Sequence, residues 1–258
     1  MDQYHAHEAV GSSSLKKILR SPAHYKYDLD NPQEPTPAKI FGSHLHEAVL
    51  EPSLFVKNTV VMPKFTGTGS QAKKDAWLME NHGKRIVKAE DMADILLMLE
   101  SVKAHKTARA LLAGGASEES YFDVCPETGL VRKARPDFLK DGHIIVDVKT
   151  TTDADPKEFE KDVANFGYHI SAAYYLDVVG AVLKKKFDQF IIIAIEKTPP
   201  FGISIHLLDE DTIQAGRFLY KKALRILKEC KEKNHYPGYP DKIRSSRIPQ
   251  WAFPQEEA

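Results

Sequence analysis

Asp147 and Lys149 stand two residues apart in the stretch IIVDVKTT, and Asp137 follows Pro136 ten residues upstream in KARPDF. Residues 143–149 have the composition of a short buried strand, with Ile144, Ile145 and Val146 leading into Val148. Residues i and i+2 of a strand point to one face, so the Asp147 carboxylate and the Lys149 ammonium are expected side by side. Lys140-Asp141-Gly142 is turn chemistry, which makes residues 131–139 and 143–150 a hairpin. That hairpin brings Asp137 next to Asp147. Two carboxylates and a lysine converging at a sheet edge suit a hard divalent cation acting on a phosphate. The acidic-x-Lys triplet alone is weak, since Asp155-Pro156-Lys157 and Glu229-Cys230-Lys231 also have it. The first of these opens a helix, and the second lies within one, where i and i+2 face apart. The bland alternative for Asp147 and Lys149 is a hairpin with ordinary charged ends.

The elements that must position this pair can be read around it. Residues 11–25 predict a helix capped by serines and ended by Pro22, with Leu15, Ile18 and Leu19 as its stripe. A Pro- and Asn-rich loop over 28–37 precedes a second helix over 38–50, stopped near Pro52. On that helix Gly42 and His46 are four apart and share a face; Gly42 would allow a close approach. TVVM is strand-like, FTGTGS is an exposed loop, and 71–82 and 88–113 read as helices, the second carrying Ile95, Leu96, Leu99 and Val102 and stopped by Gly114-Gly115. Three successive strands are expected at 119–124, 130–139 and 143–150. A helical stretch over 156–183, weak at Gly167, then leads to a buried strand at 190–196 and a neighbour at 202–208. A long amphipathic helix over 209–233 and an extended tail from 235 close the chain. The fold class is α/β: a mixed sheet of about five strands flanked by helices, with a helical N-terminal segment. The domain reading is one domain over 1–258, with a mainly helical 1–113, a sheet core over 114–233 and a tail over 234–258.

Composition narrows the function. The chain has 258 residues, 42% hydrophobic and 28% charged, which is the range of globular domains. No apolar run approaches the roughly 18–20 residues of a membrane span, and a signal-peptide pattern is absent. Cys125 and Cys230 lack metal-site spacing and read as reduced thiols; the expected location is cytoplasmic. Thirty-six basic residues balance 36 acidic ones, which argues against coating nucleic acid by bulk charge but leaves room for a local basic groove. Lys73-Lys74, Arg132-Lys133 with Arg135, Lys184 to Lys186, and Arg217, Lys221, Lys222 and Arg225 are candidates for it. No glycine-rich nucleotide loop is present; GTG at 67–69 is neither a Walker nor a Rossmann signature.

Pro136-Asp137 followed by Asp147-Val148-Lys149 resembles the PD-(D/E)xK nuclease signature, and Gly42, His46 and Leu50-Glu51-Pro52 resemble its RecB-type branch. More narrowly the chain is similar to the RecE-type exonuclease (exodeoxyribonuclease VIII) nuclease domain. SSSLKKILRSPAHY, ETGLVRKARPDF and the closing YPGYP and IPQWA extend that likeness over nearly the whole chain. The resemblance implies that Asp137 and Asp147 bind the metal, Lys149 is the catalytic lysine and His46 is the active-site histidine. It implies an acidic ligand at Glu118, with Glu119 adjacent and Glu51 a weaker alternative. Tyr175 fits the tyrosine of a glutamine-and-tyrosine motif, but Ser171 stands where the glutamine is expected, with Tyr168 or His169 as substitutes. Arg135 and Lys133 are weaker DNA contacts. The implied cofactor is Mg²⁺, with Mn²⁺ as a substitute.

The same resemblance implies a 5′-to-3′ exonuclease acting on duplex DNA ends and leaving 3′ single-stranded tails for recombination in a bacterial or phage-infected cell. It also implies a toroidal homo-oligomer such as a tetramer, and a RecT-type annealing partner. Three other readings share some of these residues: a structure-specific or single-strand endonuclease of the same superfamily, a non-catalytic DNA-binding protein retaining the fold, and a hydrolase of small phosphate esters.

Overall fold

The computed structural model describes Tyr4 and residues 6–249. The fold is built around a five-stranded mixed sheet. Its strands are β3 (Gly115–Ser117), β6 (Phe138–Lys140), β7 (Ile144–Thr151), β8 (Gln189–Glu196) and β9 (Ile203–Leu207), in that spatial order. β6 pairs antiparallel with β7, Phe138 opposite Val146, and β7 runs parallel to β8 with Asp147 opposite Ile192. A parallel neighbour needs a crossover, and helices α8 (Pro156–Asn165) and α9 (Tyr168–Leu183) supply it. Gly167, at φ +63°, makes the corner between them.

Both faces of the sheet are covered, so β7 and β8 are apolar on both sides. One core contains Ile145, Ile192, Phe159, Tyr174 and Leu224. It is roofed by α9, by α10 (Glu210–Lys233, capped by Asp209 accepting from the Thr212 N–H) and by α1 (Ser12–Arg20). The other contains Val146, Val148, Leu45, Ile95 and Met98. It lies under α3 (Pro37–Leu50) and α6 (Ala89–Ala104). Asp137, Asp147 and Lys149 share strand parity with residues of the first core, whereas α3 carries its residues in from the second.

Several expected elements are corrected. The strand over 130–139 is two strands. Pro136 has no N–H to donate, so β5 (Val131–Ala134) ends before it and β6 begins after it. β5 pairs with β4 (Tyr121–Val124) in a separate two-stranded sheet. The first strand of the main sheet is therefore Gly115–Ser117, not 119–124, and Gly115 belongs to it as well as following a helix. Gly115 is required there, because a Cβ would lie 2.2 Å from the Leu139 carbonyl oxygen. The serines at 12–14 lie inside α1, whose cap is Gly11 with no side-chain bond. Pro22 ends α1 but opens α2 (Pro22–Asp30), so helix continues past residue 28. Pro52 likewise opens α4 (Pro52–Asn58). The mainly helical segment also holds a small parallel sheet of β1 (Thr59–Met62) and β2 (Arg85–Lys88). A further break at His105 separates α6 from α7 (Lys106–Leu111). Leu96 is 50% exposed rather than part of the α6 stripe.

The tail from 235 has no regular element through Pro249. Ala23 N–H donates to the Pro237 carbonyl at 3.1 Å, and Tyr236 lies 6.3 Å from the Tyr25 ring. Gln250, Trp251 and Ala252 of the IPQWA motif lie outside the described residues. Among the described residues no helix is long and apolar enough to cross a membrane.

Candidate metal centre

Asp137 sits one step beyond the last β6–β7 pair, where the register sets it opposite Asp147. Its Oδ2 accepts from the Val148 backbone N–H at 2.7 Å, and His46 Nδ1 lies 3.4 Å from the same oxygen. His46 comes from the last turns of α3. Gly42 does not enforce that approach, since a Cβ there would meet only Thr150 Oγ1 at an ordinary 3.8 Å.

Glu118 follows β3 directly. Its N–H donates to the Asp137 carbonyl at 3.1 Å, and its backbone holds φ +55°. A left-handed, non-glycine residue is uncommon and tends to mark a functional position. Arg135 Nε meets Glu118 Oε2 at 2.9 Å. The guanidinium of Arg135 also covers the Tyr4 ring, 4.5 Å from its centre. Burial, with Asp137, Glu51 and Asp147 nearby, pushes the Glu118 carboxyl up to about 7 despite Arg135. Glu119 is engaged elsewhere, accepting from the Tyr121 hydroxyl at 2.6 Å.

His46, Glu118 and Asp137 each offer one ligand atom, and these atoms lie within 4.8 Å of one another. Donors around an octahedral ion at about 2.1 Å stand roughly 3 to 4 Å apart, so a small contraction closes this set on a divalent cation. One nitrogen and two carboxylates match a hard or borderline metal. Asp147 is outside this compact set: its carboxylate, 7% exposed, is ion-paired with the Lys149 ammonium. Burial opposes the charge on Lys149, but Asp147 and Asp137 outweigh it and its pKa is raised. Lys149 is thus held as the cation of an ion pair with Asp147.

The side of the site facing α9 is aromatic and basic. The Lys149 ammonium lies 5.5 Å from the centre of the Tyr168 ring. Tyr168, Ser171 and Tyr175 follow one helical face. Tyr175 shares a hydrogen bond with Ser12, and burial, with Tyr4, Asp147 and Asp137 nearby, pushes its hydroxyl up. Tyr168 thus reaches Lys149, whereas His169 turns back to the Val163 carbonyl at 3.1 Å. The Lys133 ammonium is taken up by the carbonyls of Tyr4 and His7 at 2.6 and 2.8 Å.

Sequence reasoning missed Lys16. It stands four residues after Ser12 on α1, and its ammonium is 5.7 Å from the Tyr168 ring centre. Burial and nearby Lys149 lower its pKa to about 8. The i, i+4 spacing of Ser12 and Lys16 was the available signal, but only the packing of α1 against α9 gives it meaning.

Residues 11–249 match a family described as a PDDEXK-like domain of unknown function (DUF3799). The chain belongs to this PDDEXK-like family. A candidate exonuclease from Eubacterium rectale shares the fold, with a TM-score of 0.64 at 16% identity over 94% of this chain and 91% of that one. A phage-related exonuclease from Haemophilus somnus 129PT matches with a TM-score of 0.39 at 14% identity, over 91% of this chain and 100% of that one. An alkaline exonuclease from Laribacter hongkongensis gives 0.28 at 14% identity, over 74% and 97%. No protein of curated function matches. The match over residues 11–249 takes in Asp137, Asp147, Lys149, His46 and Glu118.

Proposed function

We propose that the protein is a divalent-metal-dependent exonuclease acting on the ends of duplex DNA, digesting 5′ to 3′ and leaving 3′ single-stranded tails. The observation that carries the reading is the convergence of His46, Glu118 and Asp137 within 4.8 Å, beside the buried Asp147–Lys149 pair. His46, Glu118 and Asp137 would hold the metal, with Asp147 as a further carboxylate. Mg²⁺ is the ion proposed, and Mn²⁺ a substitute. When bound, such an ion polarises a phosphoryl oxygen and lowers the pKa of a coordinated water.

The chain's own groups do the rest. The Val148 N–H fixes the Asp137 carboxylate before substrate arrives. Arg135 holds Glu118 toward the same point. Lys149, kept charged by two aspartates, faces the negative charge that builds on the phosphate in the transition state and stabilises it electrostatically. Tyr168 and Tyr175 line the α9 side of the site, Tyr168 against the Lys149 ammonium. These groups engage phosphate and not base edges, so cleavage is expected without sequence preference. The net charge of zero leaves DNA binding to local basic groups such as Lys149 and Lys16 rather than to bulk charge. A ring-shaped homo-oligomer that encloses the duplex, and a RecT-type annealing partner for the exposed tail, complete the proposal.

Linear duplex labelled separately on each strand, incubated with Mg²⁺ or EDTA, tests this. The expected result is Mg²⁺-dependent release of nucleotides from 5′ ends, with closed circles left intact. Cleavage of circles points instead to an endonuclease of this fold. No cleavage of any DNA by the folded, Mn²⁺-binding protein would overturn the reading.

A further inference from the structure

Phe166 is 56% exposed, and single exposed aromatics need no explanation in themselves. Its surroundings set it apart. It caps α8, with its N–H donating to the Asp162 carbonyl at 2.9 Å. Its own carbonyl accepts from the Lys16 ammonium at 3.0 Å. Gly167 next to it is tightly packed: a Cβ there would lie 3.2 Å from both Lys16 Cδ and Ile170 Cδ1. The backbone that presents the Phe166 ring is therefore fixed.

The ring is 5.6 Å from that of Tyr168, at 30°. Tyr168 is backed in turn by the fully buried Phe159, 6.1 Å away in a stacked arrangement. Two ammoniums, those of Lys149 and Lys16, flank Tyr168 at 5.5 and 5.7 Å from its ring centre. An aromatic ledge thus runs from the catalytic lysine out to solvent, with a second cation beside it. A nucleotide has matching parts: a base with a π-face and a phosphodiester with a negative charge. Within a duplex both faces of an internal base are covered by its neighbours, so only an unpaired nucleotide presents a free face to such a ledge.

We propose that Phe166, Tyr168 and Lys16 form a subsite that holds an unpaired nucleotide flanking the scissile phosphate, its base stacked on Phe166 and its phosphate drawn to Lys16. This rests on the nuclease reading and adds where an unpaired nucleotide is held. Stacking on an aromatic side chain is tolerant of base identity, in keeping with cleavage that reads no sequence. The fixed backbone lowers the ordering cost of binding.

The test uses short single-stranded oligonucleotides carrying 2-aminopurine at successive positions, with Ca²⁺ in place of Mg²⁺. Wild type should quench the fluorescence at one position near the bound end. Phe166→Trp should keep the quench. Phe166→Leu, which retains apolar bulk without a π-face, should lose it and weaken binding by roughly five- to a hundredfold. Lys16→Ala should reduce the slope of log Kd against log salt by about 0.7. Unchanged quenching and affinity in Phe166→Leu would overturn the subsite. Mg²⁺-dependent cleavage by wild type separates the two ideas. If wild type cleaves and Phe166→Leu binds normally, only the subsite fails; if wild type cleaves no DNA, both fall.

Discussion

The backbone N–H of Val148 donates to the Asp137 carboxylate at 2.7 Å, joining β6 and β7 at the residue proposed to bind metal. Asp137 is thus oriented by main chain, with the His46 ring 3.4 Å from the same oxygen. Asp137→Asn keeps an oxygen for that bond but cannot supply a charged ligand. Activity should fall by about a thousandfold or more, on the order of 4 kcal/mol of barrier. Mn²⁺ binding by calorimetry should weaken in parallel, while the melting temperature changes little.

Lys149 should separate chemistry from metal binding. Lys149→Met removes the cation that faces the phosphate, and cleavage should drop by about a hundredfold or more. Metal affinity should hold or rise, because a positive charge has left the site. The variant also strands the buried Asp147 carboxylate, costing on the order of 3 kcal/mol at neutral pH. That cost should shrink in acid as Asp147 takes up a proton. Denaturant titrations of wild type and variant at pH 5 and pH 8 measure it.

Glu118 makes metal affinity depend on pH. Its carboxyl is raised to about 7 in the metal-free protein, and a ligand must be deprotonated to bind. Mn²⁺ affinity should therefore rise from pH 6 to pH 8, with proton release on binding. Glu118→Gln should bind more weakly and with a flatter profile. The metal-free fold has the opposite dependence. With the folded pKa above the ordinary carboxylate value, the folded state holds more protons than the unfolded state between those values. Stability accordingly declines as pH rises through that window, and Glu118→Gln removes this decline.

Gly216 tests the scaffold. A Cβ at this position would lie 2.0 Å from the His169 carbonyl oxygen and 2.5 Å from its carbon. Both are backbone atoms at the start of α9, so α10 must move away. Gly216→Ala should destabilise by about 2 kcal/mol. It should also lower activity, because α9 carries Tyr168 and Tyr175. Denaturant midpoints alongside cleavage rates check both.

The strands at 143–150 and 190–196 and the long α10 were legible because their signals are local: apolar runs, a turn at Lys140 to Gly142, an acidic cap at Asp209. The parallel pairing of β7 with β8 was not, since it is made across the α8–α9 crossover. The hairpin pairing of Asp137 with Asp147 followed from strand period and turn length alone. Pro136 was the visible warning that the strand before it would break, and its missing N–H outweighed the continuous pattern over 130–139. Gly115–Ser117 was hidden because three residues carry no period. Glu118 was assignable through resemblance but its left-handed backbone was not. Lys16 and the role of Tyr168 were not legible, since they arise where α1 crosses α9, from residues 150 positions apart in the case of the Lys16 bond to Phe166.

The sheet separates two apolar cores, and the site draws from both. His46 descends from the helix over one, while Tyr168 and Lys16 belong to helices over the other. Loosening either layer would scatter the constellation while most of the molecule stayed native. Enzymatic turnover should then act as a fuse, failing under mild heat or denaturant well before circular dichroism registers any loss of helix.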